Sequence, residues 1–323
     1  MATMTEKFVD TETDRTKSKW VAKVFRAFCR PRTTIRALYY YAMTREDTDY
    51  PICGGFVGEI RIVRRYHESD GEKLPKWAGR ARQLGFIPED AIIDELPGEH
   101  IFPPSQSQGA IGTHSGSRLD RPNNVELWLN KSALVPLMLP ACRKHGVTLV
   151  SIEDHPSKDA LEKLFARART SPHPTLLLCL SDLSMNGINF CRDLARKIAD
   201  FGSSMPATAE KPDIRLRRMG LTPGQVADLK ISMAPGQKAE KHEKEAFARY
   251  KSYLKPYGQN PKLQAELDAL EVYYPGGIAK FIDDRLSEYD GGSGQEGQWL
   301  LDLKAGMVPG EKDIDFSVDN ESA

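Results

Sequence analysis

Residues 175–187 read TLLLCLSDLSMNG. An almost wholly apolar run from Thr175 to Leu180 stops at Ser181–Asp182, and a helical pattern starts at Gly187. A strand without polar alternation is one covered on both faces, as in a parallel sheet between helices. Working outward, strand and helix keep alternating. Upstream, residues 125–130 predict a strand, 131–145 a helix closed by Gly146, 147–152 a strand and 158–169 a helix. Downstream, 187–201 predict a helix ending at Gly202, and 214–219 a strand in which Arg alternates with apolar residues. The expected fold class is α/β, a Rossmann-like, doubly wound parallel sheet in the order 2-1-3-4 over residues 124–220. Polar groups should gather at the carboxyl ends of its strands.

The amino-terminal part follows a different period. Residues 1–16 read as a mixed-charge disordered tail. Trp20, Val21, Val24, Phe25 and Phe28 then recur at helical spacing, Arg30 to Thr34 break the pattern, and Thr33 or Thr34 caps a second helix over 35–43. Further helices are expected over 57–66 and 76–84, with a strand-like stretch at 91–94. Short helices with a small strand suggest a mainly helical, winged-helix-like domain over 17–97. Residues 98–123, rich in Pro, Ser and Gly, predict a linker. Residues 221–310 predict a helical extension, with helices at 222–230, 240–254 and 277–289, and 311–323 an acidic tail.

Composition narrows the class. The 323 residues are 40% hydrophobic and 28% charged, ordinary for a globular protein of two domains. Net charge is zero, so local charge must carry any argument about nucleic acid. Cys29, Cys53, Cys142, Cys179 and Cys191 form no CxxC pair, which fits reduced thiols in a cytoplasm better than a disulfide frame or a zinc site. The polar amino terminus predicts no signal peptide, and the apolar runs are too short to span a bilayer. The histidines lack metalloenzyme spacing, and no phosphate-loop pattern follows the paired glycines.

Three constellations carry chemistry. Lys17, Lys19, Lys23, Arg26, Arg30, Arg32 and Arg36 follow one another with no acid between them. Such a run neutralises phosphates, and it also fits a solvated helix face. Within it, Tyr39, Tyr40 and Tyr41 are consecutive, about 100° apart on a helix, so at least one is expected to face solvent or a ligand. Alternatively, all three staple the helix to its neighbours. Arg36, one turn before Tyr40, is within reach of a phosphate shared with it. The third constellation joins two strand ends, Asn130–Lys131 and Asp182 to Ser184, where carboxylates would make a magnesium site. Only Asp182 is an acid there, and Lys131 is its expected counter-ion. Glu153 and Asp154, at the end of the second strand, are substitute ligands or an ordinary loop in which Asp154 or Ser157 caps the next helix.

These segments resemble a known family. Glu126-Leu-Trp-Leu-Asn130-Lys131 is similar to the Glu-Lys segment that opens a Toprim domain, with Asn130 where active members place a metal-binding Glu. Ser181-Asp182-Leu-Ser184-Met-Asn-Gly187 resembles the DxDxxG segment, with Ser184 for the second Asp. Arg36-Ala-Leu-Tyr39-Tyr40 resembles the RxxYY segment of topoisomerase VI A subunits and of the related meiotic break-forming proteins. Arg82-Gln-Leu-Gly85-Phe-Ile87-Pro88 to Asp94, and Glu266-Leu267-Asp268-Ala269-Leu270, resemble segments of small stand-alone bacterial and phage relatives. The resemblance runs from about residue 33 to residue 286. It implies double-stranded DNA as ligand, Tyr40 as nucleophile with Arg36 beside it, Mg²⁺ as cofactor, a homodimer and an ATPase B-type partner subunit. It also implies a bacterial or phage-encoded cytoplasmic protein.

The departures imply as much. With Asn130 and Ser184 neutral, Mg²⁺ binding is expected to be weak or lost. The chain is then either a DNA-cleaving protein of topoisomerase VI A type or an inactive structural or regulatory DNA-binding relative. A small-molecule enzyme using the strand-end cleft is a third reading, from another class.

Overall fold

The computed structural model describes residues 11–45, 50–58, 60–104, 123–153, 155–206, 211–236, 240, 243–290 and 301–302. The chain divides into two compact units, residues 1–94 and 95–323.

In the first unit, α1 (Glu12–Phe28) begins inside the stretch expected to be a tail. The Thr11 side chain accepts a hydrogen bond from the Asp14 N–H at 3.1 Å, and Glu12 and Asp14 sit in the positive first turn. Trp20, Val21, Val24, Phe25 and Phe28 are its buried stripe, as their spacing predicts. After β1 (Thr33–Thr34), α2 (Ile35–Met43) is capped by Thr34, whose hydroxyl accepts the Ala37 N–H at 3.1 Å. Then comes an antiparallel hairpin, β2 (Ile52–Val57) and β3 (Ile60–Arg64), where a helix was expected over 57–66. Ile60 and Ile62 flank Arg61 at a period of two. Two residues separate the paired Val57 and Ile60, and Gly58, at φ +61°, adopts the left-handed conformation such a turn demands. α3 (Leu74–Gln83) and β4 (Ile92–Ile93), parallel to β1, complete the unit.

A buried carboxylate fixes the hairpin to this unit. Arg64 grips Asp70 with both terminal nitrogens, at 2.6 and 2.7 Å, and the His67 N–H donates to the same carboxylate at 3.0 Å. Burial alone would raise the Asp70 carboxyl, but these hydrogen bonds prevail and hold it below the ordinary value.

The second unit contains β5 (His100–Phe102), β6 (Asn124–Leu129), α4 (Val135–Lys144), β7 (Thr148–Ser151), α5 (Lys158–Thr170) and β8 (Thr175–Leu180). There follow α6 (Met185–Ser203), β9 (Ile214–Gly220), α7 (Pro223–Asp228), β10 (Ala234–Pro235), α8 (Lys244–Leu254), β11 (Leu263–Gln264), α9 (Leu270–Tyr273), α10 (Gly277–Asp290) and β12 (Leu301–Asp302). The main sheet has the order β12-β9-β8-β6-β7-β5. Its four central strands are parallel, in the expected order 2-1-3-4, and both edges are antiparallel. The edge strands come from stretches that read as linker and as helical extension. Each is too short to show a period, and its pairing partner lies far along the chain. β10 and β11 form a separate antiparallel pair.

Every residue of β8 is buried. Its side chains Leu177 and Cys179 share a core with Trp128, Phe165, Leu194, Ile198 and Leu301. Cys179 and Cys191 are joined as a disulfide, against the expectation of thiols throughout. The twelve-residue spacing spans a strand, a turn and a helix, so only the tertiary fold brings them together. Glu126 is fully buried on β6, where Arg167 donates to it at 2.6 and 2.8 Å and the Trp128 indole at 3.0 Å. Among the described residues, no helix is long and apolar enough to cross a membrane.

Candidate functional site

The carboxyl ends of β6 and β8 carry the site. The chain leaves β8 at Ser181, and Asp182 follows at once. Ser184 caps α6 by accepting the Gly187 N–H at 3.0 Å. Gly187 has no substitute here, because a Cβ would fall 2.1 Å from the Asp182 carbonyl oxygen. A second segment docks alongside, with Leu183 and Ala265 exchanging backbone hydrogen bonds at 2.8 and 3.0 Å. The Tyr250 hydroxyl stands 3.1 Å from the Leu183 carbonyl and 2.9 Å from that of Leu263, tying both strands of this junction to α8.

The docking brings Glu266 and Asp268 to Lys131. The Lys131 ammonium lies 2.6 Å from Asp268, 3.1 Å from Glu266 and 3.3 Å from Asp182. Asp182 uses its other oxygen to accept the Leu267 N–H at 2.8 Å. Arg218, on β9, donates to the Asp182 carbonyl at 2.7 Å. The expected pairing of Lys131 with Asp182 is present, and two further acids join it. Their sequence separations from Lys131, 135 and 137 residues, hide the contact from any local pattern. The one sequence signal was the likeness of residues 266–270 to a family segment.

Electrostatics follow from this packing. Burial would lower the Lys131 ammonium, but the charges of Asp268, Asp182 and Glu266 outweigh it and hold it well above its ordinary value. Burial raises the Asp182 carboxyl, Glu266 and Asp268 add to the rise, and Lys131 with the Leu267 N–H opposes it. A hard divalent ion would need these carboxylate oxygens, and an ammonium already shares them. Asn130 follows β6 and is partly exposed. The Glu153 carboxylate, offered as a substitute ligand, accepts the Gly98 N–H at 2.6 Å. Asp154 lies outside the described residues, and Ser157 is the cap of α5, accepting the Ala160 N–H at 3.1 Å. Among the described residues, no group of three or more His, Cys, Asp or Glu is arranged to hold a metal ion.

The strand-end crevice is small. Beside Ser184, Met185 and Tyr250 it has a volume of about 20 Å³, room for about one water molecule. A larger cleft, about 330 Å³, opens at the opposite, amino-terminal edge of the sheet, lined by Asn123, Arg167 and His173 among others. The larger volume is thus away from the polar cluster at the carboxyl edge.

In the first unit, Tyr39, Tyr40 and Tyr41 are all buried, which agrees with the stapling alternative and not with one of them facing outward. The unit covers α2 on several sides. Tyr41 donates to the Ala27 carbonyl at 2.8 Å and packs on Phe28. Tyr39 packs edge-on against Tyr40 and Tyr66 and leans on Gly71. The Arg36 guanidinium lies over the rings of Tyr39 and Tyr40, at 4.7 and 5.9 Å. The basic run sorts onto faces. Lys19, Lys23 and Arg26, at i, i+4 and i+7 of α1, are all exposed, and Arg30 follows at its end. Arg32 is turned to Asp90, donating to its carbonyl at 3.1 Å. Lys23 sits over the Tyr50 ring at 5.1 Å, at the foot of the β2–β3 hairpin.

No protein-family model matches the chain, and no curated protein matches it.

Proposed function

We propose that the chain is a DNA-binding protein of topoisomerase VI A-like design, a winged-helix-like unit followed by a Toprim-like unit. The observation that carries the reading is the exposed basic face of α1, where Lys19, Lys23 and Arg26 stand in one row. A row of cations at helical spacing can follow a phosphate backbone, and each contact releases counterions. Changing the three to Ala tests this. Affinity for a 30-base-pair duplex should fall, and the slope of log K against log salt should flatten by about one per lost phosphate contact. An unchanged slope in the folded triple variant removes α1 from the interface.

Within this reading, strand cleavage by the isolated protein is absent or very slow. The position of Asn130 offers no carboxylate, Ser184 is spent on the α6 cap, and Asp182 is shared with Lys131. This donor set does not fit a firmly held Mg²⁺ ion. Tyr40, at 2% exposure, would have to leave its packing to meet a phosphate. Charge stabilisation of this type typically contributes a factor of a hundred or more. Supercoiled plasmid incubated with Mg²⁺ should show no Tyr40-dependent covalent adduct, and robust cleavage refutes this half of the reading. The reading includes a homodimer, checked by light scattering with and without DNA.

A further inference from the structure

The β2–β3 hairpin is dressed unlike the rest of the surface. Val57, Ile60, Ile62 and Val63 are 63%, 71%, 46% and 51% exposed. Of the large hydrophobic residues described as exposed, only Leu96 lies elsewhere. Contiguous apolar surface of this kind marks a place where something binds. The base of the hairpin, by contrast, is firmly seated. Ile52 and Cys53 are buried, the Trp20 indole donates to the Tyr50 carbonyl at 2.9 Å, and Arg64 is clamped to Asp70. The hairpin is therefore a rigidly rooted, two-stranded ribbon with an apolar end.

Register places the apolar residues. Val57 pairs with Ile60 across the turn, and Ile62 pairs with Gly55, so Val57, Ile60 and Ile62 share one face. Opposite Ile62 there is no side chain, which leaves the two isoleucines prominent. A register shift between Cys53 and Gly55 marks a bulge, and bulges increase local twist. β3 and the residue after it carry arginines at 61, 64 and 65; Arg64 is held by Asp70, and Arg65 is exposed. At the foot lies Lys23, part of the exposed basic row of α1.

We propose that this hairpin enters a groove of duplex DNA and drives Ile60, with Val57 beside it, against a base step as a wedge. The inference rests on the DNA-binding reading above and adds to it a deformation of the DNA. A two-stranded ribbon has the width of a groove, and branched apolar side chains are the kind that part stacked bases. The exposed cations, Arg65 and Lys23, decide between occupants. Two copies pairing through β3 would set like charges together, whereas a polyanion takes apolar tip and basic flanks at once.

Linking number is the readout, because a wedge unwinds DNA at any sequence. Nicked plasmid is resealed by ligase with increasing amounts of the full-length protein, and its topoisomers are resolved. The wild type should shift the distribution in proportion to the protein bound. Val57→Ser with Ile60→Ser changes only exposed positions. It should bind about tenfold more weakly, keep the salt slope, and lose the shift. A wild type that binds duplex without any shift, or a double variant that shifts topoisomers as strongly, overturns the wedge and leaves the DNA-binding reading standing. No binding to duplex at any salt removes both. If the double variant keeps its DNA affinity but loses binding to anionic vesicles, or drops in mass by light scattering, the hairpin serves a membrane or a second copy and the proposal fails.

Discussion

Replacing Lys131 by Met removes one positive charge from a point where three carboxylates meet and leaves a side chain of similar length. The magnitude follows from the contacts. Lys131 is mostly enclosed, and it lies 2.6, 3.1 and 3.3 Å from Asp268, Glu266 and Asp182. Breaking a buried ion pair by removing one partner typically costs about 3–5 kcal/mol, because the remaining charge stays desolvated. Two circumstances favour the lower end. Met retains the apolar stem contacts, and Asp182, whose carboxyl is already raised, can take up a proton. A loss of about 3 kcal/mol corresponds to roughly 6–12 °C in the melting temperature of a unit this size. Denaturant and thermal melts measure it, and a double-mutant cycle tests its cause. Asp268→Asn alone should destabilise, since it removes the shortest contact of the ammonium. In the Lys131→Met background the same change should stabilise, since it relieves repulsion. A Lys131→Met variant within 0.5 kcal/mol of wild type, or an Asp268→Asn effect of the same sign in both backgrounds, refutes the reasoning.

Acid should selectively loosen the hairpin's root. The folded Asp70 carboxyl is held below its ordinary value of 3.8. Its contribution is therefore full above that pH and lost as pH falls through the folded value. Urea melts between pH 6 and pH 2 should show that loss in the wild type, whereas Asp70→Asn, less stable at pH 6, should lack it. Gly187→Ala pushes a methyl into the Asp182 carbonyl and should cost about 3 kcal/mol, seen as an earlier thermal transition; a neutral effect would mean the turn is looser than described. Tyr41→Phe removes the hydrogen bond to the Ala27 carbonyl and should cost about 1 kcal/mol in denaturant melts.

How much of this was legible depended on range. The stripe of α1, the Thr34 cap and the apolar run of β8 are local signals, and each is present in the structure, although α1 starts earlier than its stripe. Val57, Ile60 and Val63 fall three residues apart, a spacing that a helix over 57–66 also permits. Gly58 and the Ile60–Ile62 alternation were the contrary evidence. For the tyrosines the choice between one facing outward and all three stapling the helix could not be made locally, because exposure belongs to the whole unit. Rotation about a helix axis fixes that they point apart, and says nothing of how many sides are covered. Lys131 and Asp182 were legible as strand-end residues of a parallel sheet. Glu266 and Asp268 reach them only through the Leu183–Ala265 bridge, which no spacing encodes.

The two-residue strand β12 has a consequence for how the chain is made. Leu301 pairs with Leu216 and belongs to the same core as β8. The first unit is one continuous stretch and can fold as soon as it clears the ribosome. The second cannot close its core until residue 301 has followed residue 180 out. At roughly 5–20 residues per second, the interval is roughly 6–24 s. During it the run TLLLCL waits without its last covering strand, and it is there that a nascent chain of this protein would call on a chaperone.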